Sequence, residues 1–145
     1  MASELVLQKK NEIASVYIDV MKDIKLNPLI DQDGDVEFET TAMGGIKLVA
    51  IIDADHPEFL RIAIPGLSMV TKSNRLKVLE ACNYVNLNSK VVKTYISSSQ
   101  EYVWAAYEMV MPSLNKKDLS LIVAIALNVL ESASLKFVSY MRENA

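Results

Sequence analysis

The stretch "LIDQDGDVEFE", Leu29–Glu39, sets three aspartates at alternate positions around one glycine and runs straight into an alternating segment. It reads as either a calcium loop or a hairpin turn. An EF-hand loop needs oxygen ligands at positions one, three and five, glycine at six and a bidentate glutamate at twelve. Counted from Asp31, glycine comes at position four as Gly34, while Val36 holds position six and Ala42 position twelve. The spacing fails as a cation loop. As a turn it succeeds, because Asp33-Gly34 offers positive φ angles between a short strand at Leu29-Ile30 and the next strand. Beyond the turn, Val36, Phe38 and Thr40 alternate with Glu37, Glu39 and Thr41, the period of a strand with one buried face.

The period of two persists downstream. After Gly44-Gly45, read as another hairpin turn, "IKLVAIID" is a strand rich in β-branched residues. "FLRIAIP" then alternates Leu60, Ile62 and Ile64 with Phe59, Arg61 and Ala63, and stops at its proline. Upstream, "SELVLQKKNEIASVYIDVMKDI" places Leu5, Ile13, Val16, Tyr17, Val20 and Ile24 on one stripe of an amphipathic helix, with Ser3 at its start. Helical spacing returns in "NRLKVLEACNYVNLN" through Leu76, Leu79, Cys82 or Asn83, and Leu87. "VVKTYIS" and "YVWAAYEMVM" follow as two strands joined by the polar turn "SSQE". A long helix from about Lys116 to Glu143 closes the chain, its start marked by Ser113 or Asn115 and by Asp118 in the first turn. The order α-β(3–4)-α-β2-α, with short connections, predicts an antiparallel sheet with helices on one face: a single two-layer α+β domain over residues 1–145.

Composition fits that reading. The chain is 51% hydrophobic and 23% charged, with four glycines and four prolines, which is the profile of a globular core-forming protein. A net charge of −3 with scattered lysines and arginines argues against nucleic-acid binding. One cysteine, Cys82, leaves no intramolecular disulfide and no multi-cysteine zinc site, and reads as a small buried hydrophobe. The first residues lack the charge and apolar pattern of a secretory signal, and the run "LSLIVAIALNVL" is too short for a membrane span. These features predict a cytoplasmic protein with neither membrane nor cofactor.

The chemistry-bearing residues are few. His56 is the sole histidine, in "DADHPEF" beside Asp53, Asp55 and Glu58. An acid–base pair or metal site there is conceivable; a surface turn with Pro57 fixing φ is the simpler account. No phosphate-binding glycine loop and no nucleophile elbow occurs, so no catalytic residue, metal ligand or enzyme activity is expected.

The outer face of the predicted sheet is more informative. Tyr95 falls near Trp104 across the last hairpin, with Tyr102 and Lys93 on the same side. In the other strands the residues out of phase with the core are Glu37, Glu39, Val49, Ile51, Phe59 and Arg61. Together Val49, Ile51, Phe59, Tyr95 and Trp104 are too apolar for an ordinary solvent face. Either it is an interaction surface or a helix covers part of it. Val49, Ile51, Phe59, Arg61, Tyr95, Tyr102 and Trp104 are therefore the candidate partner-binding residues. The last helix is apolar around much of its circumference, which fits deep burial or sharing between two subunits.

The element order, the turn "DQDGD" before "VEFE", the link "DHPEFLRI" and the helix carrying Asn83 and Asn86 resemble the YbjN-like family, from Leu26 onward. That family is similar in fold to type III secretion chaperones. The chain departs from it in using "SSSQE" at the last hairpin, and in placing Lys90-Val91-Val92 where a glycine-led strand start is common. The resemblance implies a small bacterial protein, non-enzymatic and dimeric, that binds another polypeptide in a chaperone-like or regulatory role. It implies that Asn83 and Asn86 hydrogen-bond to end their helix. The rival reading is a small-molecule sensing domain with a pocket between sheet and helices.

Overall fold

The computed structural model describes residues 3–145. Helix α1 (Glu4–Asp23) leads through β1 (Leu29–Ile30) and β2 (Val36–Thr40), then a 3₁₀ turn at Thr41–Met43, to β3 (Ile46–Ile51) and β4 (Phe59–Met69). Helix α2 (Arg75–Asn88), β5 (Val92–Ile96), β6 (Tyr102–Val110) and α3 (Lys116–Glu143) complete the chain. The strands form one antiparallel sheet in the order β1-β2-β3-β4-β6-β5. All three helices pack on one of its faces, so the predicted two-layer α+β architecture is what the chain adopts.

The opening stretch is a turn held by its own acids. The Asp31 carboxylate accepts hydrogen bonds from the backbone N–H groups of Asp33 and Asp35 at 2.8 and 3.0 Å. Asp35 accepts from the Ile52 N–H at 2.8 Å and pairs with Lys10 of α1 at 3.0 Å. Lys10 also donates to the Asp33 carbonyl at 2.7 Å. One correction concerns the backbone: Gly34 alone takes a positive φ, +83°, while Asp33 does not, because the connection is a five-residue loop and not a two-residue turn.

The covered face of the sheet carries Val36, Phe38, Leu48, Ala50, Leu60, Ile62, Ile64, Val103, Ala105 and Tyr107, which meet Leu119, Val123, Ala126, Leu130, Ala133 and Phe137 of α3. The alternation read in β2 and early β4 is thus the alternation of the fold. β4 does not end at Pro65. It continues to Met69 through a register shift between Ile64 and Ser68, where Gly66 sits at φ +75°. Proline is tolerated there because a bulge frees its position from the ladder.

In α1 the expected stripe faces the core: Tyr17 and Val20 are buried with Ala14 and Met21, Ile13, Val16 and Ile24 pack against them, and Leu5 alone is exposed, at 63%. α2 is rotated from its expected stripe. In α2, Leu76, Leu79 and Leu87 point outward, with Leu76 71% and Leu87 80% exposed, while Val78, Ala81, Cys82 and Val85 face the core. The inward residues of α2 are small, which lets the helix lie close on β5, and the polar tether of Asn86 described below fixes its rotation. Burial pushes the Cys82 thiol up, against a hydrogen bond with Thr94 that lowers it. Asn115 caps α3 as read, accepting from the Asp118 N–H at 2.8 Å. By length and composition α3 is long and apolar enough to cross a bilayer, unlike the short run within it. Its buried stripe is nevertheless the spine of this core, a role core helices of globular domains share.

Candidate functional site

Among the described residues no helix covers the second face of the sheet. Its centre is a small apolar floor of Val49, Ala63 and Ala106, against which Ile51, Tyr95 and Trp104 pack. The register explains the grouping: Val49 stands opposite Ala63 and Ala63 opposite Ala106, while Tyr95 pairs with Trp104 across the hairpin as expected. With only methyl groups at Ala63 and Ala106, the larger side chains of Ile51, Tyr95 and Trp104 pack against the floor and shield it. Val49 is consequently buried at 9% exposure, whereas Ile51, Tyr95 and Trp104 are half-buried and Phe59 and Tyr102 are exposed.

Beside this floor runs a ladder of charge. Glu108 of β6 receives Arg61 of β4 at 2.7 Å and Lys93 of β5 at 2.7 Å. Lys93 in turn lies 5.5 Å from the centre of the Tyr95 ring. Burial alone would raise the Glu108 carboxyl, but hydrogen bonds and charge from Lys93 and Arg61 outweigh it and hold the carboxyl below its ordinary range. Next to the ladder a shallow groove of about 520 Å³ is lined by Ile51, Phe59, Arg61, Glu108, Met109 and Val110. The seven candidate residues therefore lie on one surface. Val49 is its floor, Ile51, Phe59 and Arg61 border the groove, and Tyr95 and Trp104 stand opposite each other on adjacent strands. Tyr102 stands at the far end, opposite Met69.

The remaining candidates serve the backbone. Asp53 accepts from the N–H groups of Asp55 and His56, both at 3.0 Å, which shapes the loop. His56 is exposed, 3.6 Å from Glu58 and beside the Phe59 ring. Among the described residues no group of three or more His, Cys, Asp or Glu side chains gathers as a metal site would.

Asn86 corrects an expectation. It does not end its helix. It accepts from the Thr94 N–H at 2.7 Å and donates to the Thr94 carbonyl at 3.1 Å, as a neighbouring strand would, on the outer edge of β5. The Thr94 hydroxyl adds bonds to Asn86 and to the Cys82 carbonyl. The helix end is held instead by Asn88, which donates to the Tyr84 carbonyl, and by Lys136, which donates to the Asn88 carbonyl at 2.6 Å. Asn83 is exposed beside Tyr84. No sequence signal distinguished Asn86 from Asn83, because the partner strand becomes visible only in three dimensions.

No family model matches the chain, and no curated protein matches it. Among solved structures, YbjN from E. coli, described as a proposed transcription regulator, is similar with a TM-score of 0.69 over 88% of this chain and 92% of that one, at 9% identity. An uncharacterized protein from Methanothermobacter thermautotrophicus is similar with a TM-score of 0.55 over 91% of this chain and 98% of that one, at 14% identity. The fold is YbjN-like, as the sequence resemblance implied; at these identities the likeness speaks to fold alone.

Proposed function

We propose that the chain is a non-enzymatic protein-binding module, chaperone-like or regulatory, which works as a homodimer in the cytoplasm and holds another polypeptide on the open face of its sheet. The observation that carries this reading is the uncovered apolar floor with its half-buried Tyr95 and Trp104. A flat face with an apolar centre and a charged border suits a protein partner. Carboxylates of Glu37, Glu39 and Glu108 on or beside this face disfavour a phosphate backbone. A binding or regulatory role also agrees with the description of the E. coli protein that shares the fold. The rival, a metabolite enclosed between sheet and helices, finds less support, since that space holds tightly buried side chains such as Phe38, Leu60 and Phe137.

The test is affinity capture from the native cell with the wild-type chain and with Trp104→Lys and Tyr95→Lys. A polypeptide retained by the wild type and lost by both variants, with unchanged circular dichroism, is the expected result. Equal retention by all three would remove the open face from the account. A co-purifying metabolite without a polypeptide would transfer the reading to the small-molecule rival.

A further inference from the structure

We propose that the homodimer forms through the outer stripe of α3, packed antiparallel on its own copy about a two-fold axis at the level of Leu130. This deepens, and rests on, the homodimer reading above. α3 is flanked by α1, through the Lys116–Asp19 ion pair, and by α2, through Lys136 and Asn88. Its inner side is core. Its exposed positions between the two ends are Leu121, Ala124, Ile125, Asn128, Ser132, Leu135 and Val138, none of them charged. At 1.5 Å per residue this stripe is about 25 Å long, an unusual length of uncharged surface for a solvated helix.

The stripe has the spacing of a coiled-coil seam, alternating three and four residues through Asp118, Leu121, Ile125, Asn128, Ser132, Leu135, Ser139 and Arg142. Turned antiparallel on itself, it sets Leu121 against Ser139, Ile125 against Leu135 and Asn128 against Ser132, so large meets small toward the ends, two large apolar side chains meet between, and amide meets hydroxyl beside the axis. The ends complement as well: Asp118 comes opposite Arg142 and Lys117 opposite Glu143, twice each by symmetry. Among the described residues Lys117, Arg142 and Glu143 have no ion-pair partner of their own, which leaves them open to the second copy. A parallel arrangement would instead set like charges together. Shape agrees with charge. The C-terminal half of α3 borders a groove of about 670 Å³ lined in part by Asn128, Ser132, Leu135 and Ser139 with the charged Glu131, Lys136 and Glu143 at its sides, and the N-terminal half carries the exposed Leu121 and Ile125 that would enter it. Such a dimer turns the two open sheet faces outward on opposite sides and makes the module bivalent.

Sedimentation analysis of the full chain tests this. The wild type is expected to be a dimer, and Ile125→Lys, which plants a charge on an exposed seam position, to weaken it about a hundredfold or more. Lys117→Glu and Glu143→Lys each place the new charge favourably for the helix dipole, so helix loss does not confound them. Each alone should weaken the dimer about tenfold, and the double variant should restore it. A monomeric wild type would overturn both the homodimer and this interface. A dimer indifferent to Ile125→Lys, or one dissolved by Trp104→Lys, would overturn the interface alone and leave the homodimer standing. A monomer that binds neutral phospholipid vesicles through Ile125 would overturn the proposal in favour of a membrane surface. Partner capture by monomeric Ile125→Lys, with the wild type dimeric, would support the seam and separate it from the open face.

Discussion

The two faces of the sheet are built by the same strands and bury their centres by different means. On the covered face, large side chains such as Phe38, Leu48, Leu60 and Ile62 reach into a helical layer and are fully enclosed. On the open face, Val49, Ala63 and Ala106 are shielded only by the side chains beside them. The first arrangement stabilises the fold through close packing of enclosed apolar side chains. The second leaves aromatic surface half in water, which a partner can cover at little cost to the fold. The pairing teaches that burial on a sheet is not evidence of a covering layer: two alanines in register suffice when taller neighbours lean across them.

The sharpest way to break this contrast is truncation. Phe38→Ala should lower unfolding free energy by about 3–5 kcal/mol in denaturant titration, as a filled core leaves a cavity. Phe59→Ala on the open face should cost no more than about 0.5–1 kcal/mol, since the ring is already half in solvent. Equal losses would mean that the open face is part of the core.

The faces should also separate by pH. Burial on the covered face pushes the Tyr17 hydroxyl up to about 12 from an ordinary value of 10. A folded value above the unfolded one means that the contribution is intact below pH 10 and lost as pH rises toward 12. This amounts to roughly 2–3 kcal/mol, seen as alkaline destabilisation relieved in Tyr17→Phe. Glu108 on the open face behaves oppositely. Its folded value lies below 4.5, so its contribution is present above that pH and is lost as pH falls through the folded value. Because the ladder is more than a third exposed, this acid effect should be small and should shrink in high salt.

Smaller effects test the margins of the sheet. Asn86→Ala should cost about 1–3 kcal/mol and speed amide exchange at Thr94, because the β5 edge loses its surrogate strand. Val91 holds φ +57°, a left-handed conformation costly for a β-branched residue, at the site where a glycine would be expected from the family resemblance. Val91→Gly should therefore raise stability by about 1 kcal/mol, read as a higher denaturation midpoint.

The strands were legible in sequence because their period of two is tied to one buried face, and Val36, Phe38, Leu60, Ile62 and Ile64 display it without ambiguity. The Tyr95–Trp104 pairing followed from a short hairpin. The rotation of α2 was not legible. α2 has leucines spaced for one face and small residues spaced for another, and the small set faces the sheet because of close approach and the Asn86 tether. The continuation of β4 beyond Pro65 was hidden for a related reason, since the bulge that admits the proline depends on the neighbouring strand β6. The open face itself was legible as a list of residues, but its being uncovered depends on all three helices choosing the other side.

The most direct test of the account is oxidative footprinting of the chain alone and together with a polypeptide retained in the affinity capture proposed above. The account predicts that Trp104, Tyr95 and Phe59 lose reactivity on binding while Leu76, Leu87 and Tyr84 on the outer side of α2 do not change. Protection confined to α2 and α3, with Trp104 as reactive as before, would contradict it.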